Sequence, residues 1–179
     1  MYELHKNEQY FFDEKTLEHL ADFLSQWTAP CCLCAPMLGK RLAEMGVNVT
    51  VLDIDERFKE VKGFRRFDIY RPDWIGIEFD VIFCDPPFFN ASLSQLFGAL
   101  RLLSRNDFSQ PMLVAYLARR SNAIKGTFSR FELVNSGYFP SYQTVRETEK
   151  NRIEIFSNLP SELITTLNGD DVSTDRGRD

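Results

Sequence analysis

The apolar run at residues 79–84 ends in Asp85, Pro86, Pro87 and Phe88, and this junction constrains the fold strongly. A short, nearly continuous apolar run is typical of a strand that is buried on both faces of a parallel sheet. Because proline fixes φ and has no N–H, the two prolines hold the following backbone extended and leave its carbonyls free. In open α/β sheets ligands bind at the carboxyl edge of the strands, so a ligand site is expected at this tetrapeptide.

The tetrapeptide D-P-P-F offers two hydrogen-bond acceptors beside an aromatic ring. The carboxylate of Asp85 and the carbonyl of Pro86 can accept the two hydrogens of an amine, and Phe88 provides a flat face next to them. The motif therefore indicates a receptor for a planar group that carries an NH2. The alternative is a proline turn that only ends the strand.

Short apolar strands alternate with helical patterns along most of the chain. The patterns predict strands at residues 31–35, 47–52, 65–67, 79–84 and 112–117, and helices at 13–27, 36–45 and 92–104. The last two strands, at 131–134 and 152–156, have no strong helix signal between them, so we expect them to pair antiparallel. This order predicts a seven-stranded, mostly parallel, doubly wound sheet with an antiparallel edge hairpin.

Asp53 and Asp55 follow the second strand, about 20 residues beyond the turn that ends the first strand. In βαβ units a carboxylate at this spacing binds ribose hydroxyls. The first turn, at residues 35–39, lacks the G-x-G-x-x-G pattern, so its backbone cannot easily approach a pyrophosphate. This difference counts against NAD, FAD or ATP and is compatible with a ligand that presents no phosphate at the turn.

Length and composition predict one domain over residues 1–158 and a polar tail at 159–179 that we expect to be disordered. No apolar run approaches the length of a membrane span, and the N-terminus is not a signal peptide, so we expect a cytoplasmic protein with no membrane partner. The four cysteines lack C-x-x-C spacing and there are only two histidines, which favours buried thiols over a metal site. The net charge of −5 argues weakly against a large nucleic-acid footprint.

The acid after the second strand and D-P-P-F after the fourth resemble the class I S-adenosylmethionine-dependent methyltransferases, which have a Rossmann-like fold. Within this class the chain is similar to the probable N(6)-adenine methyltransferase family, whose motif is D-P-P-[YF]. That family includes elongation factor lysine methyltransferases and an adenine-modifying ribosomal RNA relative. The similarity covers residues 9–156, and besides D-P-P-F it is carried by the stretches Gln9-Tyr10-Phe11-Phe12, Ala35-Pro36, residues 53–58 and Asp68.

The resemblance implies that the donor is S-adenosylmethionine and the product S-adenosylhomocysteine. Asp53 would hold the ribose hydroxyls, with Asp55 as the second candidate, and Asp68 would accept from the adenine amine of the cofactor. Residues 9–12 would close over its methionine portion, although the same cluster could serve packing alone, and Asp53 and Asp68 could be exposed turn acids. The full set of implied cofactor-binding residues is Gln9, Tyr10, Phe11, Phe12, Ala35, Pro36, Asp53, Asp55, Asp68 and Asp85.

The resemblance also assigns the acceptor side of the reaction. Asp85 and the Pro86 carbonyl would hold the two N–H groups and aim the nitrogen lone pair at the methyl group, which makes Asp85, Pro86, Pro87 and Phe88 the predicted catalytic residues. The predicted substrate-binding residues are Phe88 and Phe89 as stacking rings, Asn90 as a polar contact or a turn residue, and Arg119 and Arg120 as phosphate contacts or a solvated basic loop.

Three functions remain open from the sequence. The first is methylation of adenine N6 in nucleic acid, with RNA favoured over DNA, and the second is methylation of a protein lysine. The third is an inactive methyltransferase fold that serves as a partner subunit, although an intact D-P-P-F motif speaks against it. The motif does not separate the first two functions, because the family uses it for both acceptors.

Overall fold

The computed structural model describes residues 1–5 and 8–169. Within them the strands are β1 (Pro30–Leu33), β2 (Thr50–Asp53), β3 (Phe64–Arg66), β4 (Val81–Cys84), β5 (Met112–Leu117), β6 (Val134–Asn135) and β7 (Ile153–Ser157). They form one seven-stranded sheet in the order β3-β2-β1-β4-β5-β7-β6. The strands from β3 to β5 pair in parallel, and β7 runs antiparallel to both β5 and β6. The predicted seven-stranded, mostly parallel sheet with an antiparallel edge is therefore confirmed.

The helices of the described residues are α1 (Glu14–Leu24), α2 (Pro36–Glu44), α3 (Leu93–Leu103), α4 (Ser121–Thr127) and α5 (Ser161–Leu167). Asp13 caps the start of helix α1, because its carboxylate accepts a hydrogen bond from the Thr16 backbone at 2.8 Å. Helix α3 begins with a capping box between Ser92 and Gln95. Helix α1 contacts α2 and α5, whereas α3 contacts α4. None of these helices combines the length and the apolar character needed to cross a lipid bilayer.

The centre of the sheet is buried at every residue of β1, β4 and β5. Strand β4 continues its pairing with β1 for one residue beyond its end, because the Asp85 N–H donates to the Leu33 carbonyl at 3.1 Å. Pro86 and Pro87 then have no N–H with which to extend the ladder. The carboxyl ends of β1, β2, β4 and β5 thus meet at one edge of the sheet, with D-P-P-F at its centre.

The strand predicted at residues 131–134 is wrong in most of its length. Residues 129–131 form a turn of 3₁₀ helix, and Glu132 takes a left-handed conformation with φ of 58°. Strand β6 covers only Val134–Asn135. Phe131 and Leu133 are nevertheless both buried, so their alternation with polar neighbours imitates a strand although the backbone is coiled.

The disordered tail predicted from residue 159 is also wrong over its first part. Helix α5 packs on the domain through the buried Leu167, whose carbonyl lies 2.6 Å from Nε2 of His19. The side chain of Asn168 donates to the Ser136 carbonyl at 2.8 Å. A few apolar side chains and these polar contacts order a stretch whose composition alone predicts a disordered tail. Residues 170–179 lie outside the described residues.

The close packing of α2 on β2 requires glycine at position 39. A Cβ at Gly39 would lie 2.9 Å from Cγ1 of Val51 and closer still to Cγ2. Gly98 in α3 has open space around the corresponding position. The two glycines therefore form a matched pair for testing the packing of α2.

We expect Gly39→Ala to lower the free energy of unfolding by about 1–3 kcal/mol, the usual cost of overpacking, as measured by urea denaturation. Gly98→Ala is the control, because alanine has the higher helix propensity and should leave stability unchanged or raise it by up to about 1 kcal/mol. Equal unfolding midpoints for the two variants would contradict the close contact between α2 and β2.

Candidate active site

A cleft of about 470 Å³ opens at the carboxyl edge of the sheet. The loops after β1, β2 and β4 form its walls, together with the start of the chain. Its polar lining consists mainly of acceptors, and the side chains that matter below are Gln9, Asp53, Asp55, Asp68, Asp85 and Asn90. The two acidic positions after β2 and the start of the D-P-P-F motif, which the sequence patterns indicated separately, line one cleft.

Asp53 is the last residue of β2 and lies in the wall of the cleft with 7% of its surface exposed. Its Oδ1 accepts a hydrogen bond from the Asp55 backbone at 2.8 Å. Burial, together with the charge of the nearby Asp55, raises the pKa of Asp53 to about 6, although hydrogen bonds from the Asp55 and Ile54 backbone oppose the rise. Asp53 is therefore an acceptor with remaining capacity for a ligand in the cleft.

Asp55 is tied to protein groups. Its two oxygens accept from the Arg57 guanidinium at 2.9 Å and 2.6 Å, and from the Gln9 amide at 3.0 Å. Burial opposes ionisation of Asp55, but the hydrogen bonds from Arg57 and Gln9 outweigh it and lower the pKa of this carboxyl. These contacts attach residues 8–12, which we call the N-terminal segment, to the loop after β2.

The aromatic cluster predicted at residues 9–12 divides between the site and the core. Gln9 lines the cleft, and Tyr10 lines a second cavity described below. Phe11 and Phe12 are buried, and the Phe12 ring lies 6.0 Å from Phe83 in β4. For Phe11 and Phe12 the alternative that the cluster serves packing is therefore correct, and these two rings support the site from the core.

Ala35 and Pro36 are buried where α2 begins and do not line the cleft. The residue before them, Cys34, does line it and has a left-handed backbone with φ of 55°. Burial raises the pKa of the Cys34 thiol well above its usual range, so the wall is neutral at this point. Nothing in the local sequence singles out Cys34 from the other three free cysteines, which are buried in β1 and β4.

Asp68 is half-buried in the cleft wall opposite the strand ends. Its Oδ1 accepts from the Tyr70 backbone at 2.9 Å, so the side chain closes a local turn. Tyr70 lines the cleft as well, although no sequence pattern distinguishes it. Asp68 therefore closes a turn, as one interpretation of the sequence predicts, and it also lines the cleft, as the other interpretation requires.

A second cavity of about 150 Å³ lies on the other side of the D-P-P-F motif. Its walls are mostly apolar and aromatic, and they include Tyr10, Phe88, Phe89, Leu117, Tyr142 and Ile153. The Phe88 ring is held edge-on against Tyr116 with 5.9 Å between ring centres. We call this cavity the aromatic pocket.

A narrow space of about 20 Å³ separates the cleft from the aromatic pocket. Gln9, Cys34 and Asp85 border both this space and the cleft. Tyr10, Phe88 and Tyr142 border both the space and the aromatic pocket. The carboxylate of Asp85 and the ring of Phe88 therefore stand where the two cavities approach each other.

Asp85 is half-buried and accepts a hydrogen bond from the Tyr142 hydroxyl at 2.8 Å. Burial raises the pKa of Asp85 to about 8, and the Tyr142 hydrogen bond opposes that rise. Tyr142 comes from the connection between β6 and β7 and was not selected from the sequence. Its role depends on a contact between distant parts of the chain, which no local pattern reveals.

Glu8 holds the loop after Pro87 by hydrogen bonds to the loop backbone. The Glu8 carboxylate accepts from the backbone N–H groups of Phe89 at 3.1 Å and Asn90 at 2.8 Å. Phe89 itself is 71% exposed at the rim of the aromatic pocket, and Asn90 lines the cleft. Glu8 is therefore a second residue that sequence reasoning missed for the same long-range cause.

Arg119 and Arg120 follow β5 at the same edge of the sheet but line neither cavity. Arg119 donates to the Lys150 carbonyl at 2.8 Å, and Arg120 donates to the Tyr116 hydroxyl at 3.0 Å. Three further exposed basic residues are chain neighbours of residues that line the aromatic pocket, because Arg146 follows Val145 and Asn151 lies between Lys150 and Arg152. We call Arg119, Arg120, Arg146, Lys150 and Arg152 the basic rim.

Two acidic side chains interrupt the basic rim. Glu147 and Glu149 are exposed in the same connection, and Glu147 pairs with Arg152 at 3.1 Å. The rim still carries more positive than negative groups. Within the described parts of the chain, no three His, Cys, Asp or Glu side chains are grouped so that they could hold a metal ion.

Several solved structures with the same architecture are methyltransferases. The chain superposes on magnesium protoporphyrin IX methyltransferase from Synechocystis PCC 6803 with bound S-adenosylmethionine, at a TM-score of 0.54 and 14% identity, over 80% of this chain and 78% of that chain. For an N-methyltransferase from Bradyrhizobium japonicum WM9 the TM-score is 0.50 at 14% identity, over 82% and 96% of the two chains. For human N-acetylserotonin methyltransferase it is 0.50 at 14% identity, over 79% of this chain and 51% of that chain.

At these identities the similarity establishes the fold, which is the Rossmann-like fold of class I methyltransferases. No curated protein sequence matches the chain at a significant level. A sequence model of the family described as "Probable N6-adenine methyltransferase" matches residues 3–160, which is nearly the whole described domain. The chain therefore belongs to the probable N6-adenine methyltransferase family.

Proposed function

We propose that this methyltransferase moves a methyl group from S-adenosylmethionine to an exocyclic amine, and that the amine is N6 of adenine in a nucleic acid. The observation that carries the proposal is the position of Asp85 and Phe88 between the polar cleft and the aromatic pocket. A donor in one cavity and an acceptor in the other would meet at these two residues. Transfer between bound groups needs little more than correct placement of both.

The cleft suits the donor in size and in charge. Its volume of about 470 Å³ lies within the usual range for small-molecule sites. Asp53 would accept from the ribose hydroxyls and Asp68 from the adenine amine, while Gln9 borders the methionine end. The carboxylates of the cleft also favour a ligand whose reactive sulfur is positively charged.

Asp85 and Pro86 would prepare the acceptor for attack. When bound, S-adenosylmethionine would supply a methyl group whose bond to sulfur breaks as the amine nitrogen bonds to the methyl carbon, so that S-adenosylhomocysteine leaves and the amine loses one proton. The Asp85 carboxylate and the Pro86 carbonyl would accept the two N–H hydrogens and thereby point the nitrogen lone pair toward the cleft. Phe88 and Phe89 would stack on the base, which contributes about 1–3 kcal/mol per base.

The basic rim supports a nucleic acid as the acceptor. Its five basic side chains come from two connections, and residues of the chain next to them line the aromatic pocket. Phosphate groups of a strand whose base enters the pocket would pass close to them, and such contacts supply much of the affinity for nucleic acids. An unpaired RNA base needs no energy for extrusion from a duplex, which favours RNA over DNA.

The second candidate is a protein lysine, and the character of the aromatic pocket favours it. The pocket holds only about 150 Å³, and most of its wall is apolar. A narrow aromatic channel suits the alkyl stem of lysine, and the same acceptors would hold its amine. The basic rim does not contribute to this function, so the two candidates differ in which surface they require.

We expect Asp85→Ala to abolish methyl transfer while it leaves the affinity for S-adenosylmethionine within a few-fold of the native value, since Asp85 would bind the acceptor amine. Asp53→Ala should instead weaken donor binding by about tenfold or more, because it removes an acceptor for two hydroxyls. Isothermal titration calorimetry with S-adenosylmethionine measures the donor affinity of both variants. Failure of the native protein to bind the donor, with or without candidate substrate, would refute the proposed function.

We expect the labelled product to be nucleic acid when the protein is incubated with tritiated S-adenosylmethionine and cell extract. Nuclease treatment should release the label and protease treatment should leave it in place. Separate digestion with ribonuclease and deoxyribonuclease distinguishes RNA from DNA. Label that resists nuclease but is lost on protease treatment would eliminate adenine and establish the lysine alternative.

We expect Arg146→Glu combined with Lys150→Glu to weaken binding of a single-stranded RNA oligonucleotide by about tenfold or more at 0.1 M salt, and to make the salt dependence less steep. Fluorescence anisotropy between about 50 and 200 mM salt measures both effects. Lys62→Glu combined with Arg66→Glu is the control, because it changes the net charge equally at the β3 edge of the sheet. Equal loss of affinity in both variants would show that the basic rim has no specific role.

A further inference from the structure

Tyr142 connects the edge of the sheet to the carboxylate of the D-P-P-F motif. Its hydroxyl donates to Oδ1 of Asp85 at 2.8 Å, and its ring packs on Phe12 with 4.9 Å between ring centres. The backbone of Tyr142 pairs with Phe12 in an isolated antiparallel bridge. Tyr142 is therefore held by separate contacts of its backbone, its ring and its hydroxyl. Its side chain borders both the narrow space and the aromatic pocket.

We propose that Tyr142 is a positioning residue that orients the Asp85 carboxylate toward the acceptor amine and favours its ionised form. The catalytic consequence of this contact rests on the proposed methyl transfer, whereas the contact itself does not. With Oδ1 engaged by Tyr142, the second oxygen of Asp85 is the one that remains for the N–H of the acceptor. Among the described residues, Tyr142 supplies the one side-chain hydrogen bond that Asp85 receives.

The ionisation state of Asp85 decides whether it helps or hinders the reaction. An ionised carboxylate only accepts hydrogen bonds, so it can hold an N–H and leave the nitrogen lone pair free. A protonated carboxyl can donate its hydrogen to that lone pair and so block attack on the methyl group. Burial raises the pKa of Asp85 to about 8, so a donor that favours the charged form matters near neutral pH.

The other groups around Asp85 do not replace Tyr142 in this role. Burial raises the pKa values of the Cys34 and Cys84 thiols well above their usual range, so both are uncharged. Burial also keeps the Tyr142 phenol protonated, because it raises the pKa of that group well above its ordinary value. The remaining titratable groups that line the cleft or the narrow space with Asp85 are acids or phenols, namely Glu8, Tyr10, Asp53, Asp55, Asp68 and Tyr70.

Loss of the hydroxyl should therefore raise the pKa of Asp85. We expect Tyr142→Phe, which keeps the ring contact with Phe12, to move the titration midpoint of Asp85 upward by about one pH unit. The measurement is a pH titration of the 13Cγ resonances in protein labelled with [4-13C]aspartate. The Asp85 resonance is identified as the one that disappears in Asp85→Asn.

Tyr138→Phe is the matched control for this titration. It removes the same hydroxyl from a tyrosine in the same connection, whose ring stacks on His19 and does not contact Asp85. The control should leave the Asp85 midpoint unchanged. An unchanged midpoint in Tyr142→Phe, or an equal change in both variants, would overturn the proposal without any measurement of activity.

The second readout is the pH dependence of methyl transfer from tritiated S-adenosylmethionine to total cellular RNA. The acidic limb of kcat/KM should move upward by about one pH unit in Tyr142→Phe, which corresponds to about tenfold lower activity at neutral pH and recovery at high pH. A uniform loss at every pH would indicate a structural role alone and would overturn the proposal. If the native protein transfers no methyl group to RNA or protein, the proposed function fails, while the titration still decides whether Tyr142 controls Asp85.

Discussion

The whole site depends on the point at which strand β4 stops pairing with its neighbours. Asp85 makes the last backbone hydrogen bond to β1, and the two prolines after it cannot continue the ladder. The first side chain beyond β4 is the Asp85 carboxylate. Because β4 is covered on both faces, this carboxylate is still partly desolvated. The cleft, the narrow space and the aromatic pocket are all arranged around this interruption.

Desolvation also accounts for the electrostatic character of the site. Asp53 and Asp85 both have raised pKa values because burial penalises their charged forms, and each receives few compensating hydrogen bonds. Asp55 shows the opposite behaviour, because Arg57 and Gln9 compensate its burial and lower its pKa. Asp53 and Asp85 therefore keep acceptor capacity for ligands, whereas the acceptor capacity of Asp55 is used to hold the N-terminal segment.

Much of the fold could be predicted from the sequence because its signals are local. The strand at Met112–Leu117 agrees with its predicted limits, the Asp13 cap begins α1, and Asp53 and Asp85 lie at the ends of β2 and β4 as expected. The errors at residues 131–134 and 161–167 arise where packing against distant elements overrides the local pattern. Tyr142 and Glu8 could not be found in this way, because each acts on residues more than fifty positions away along the chain.

The connection between β6 and β7 has a consequence for how such a protein can change over time. This single stretch contributes Tyr142, part of the aromatic pocket and most of the basic rim, whereas the walls of the cleft come from earlier loops and the start of the chain. The aromatic pocket therefore combines this connection with Tyr10, Phe88 and Phe89, which come from the same segments as the cleft walls. Substitutions in this connection can therefore reshape the aromatic pocket and the basic rim without changing any residue that lines the cleft.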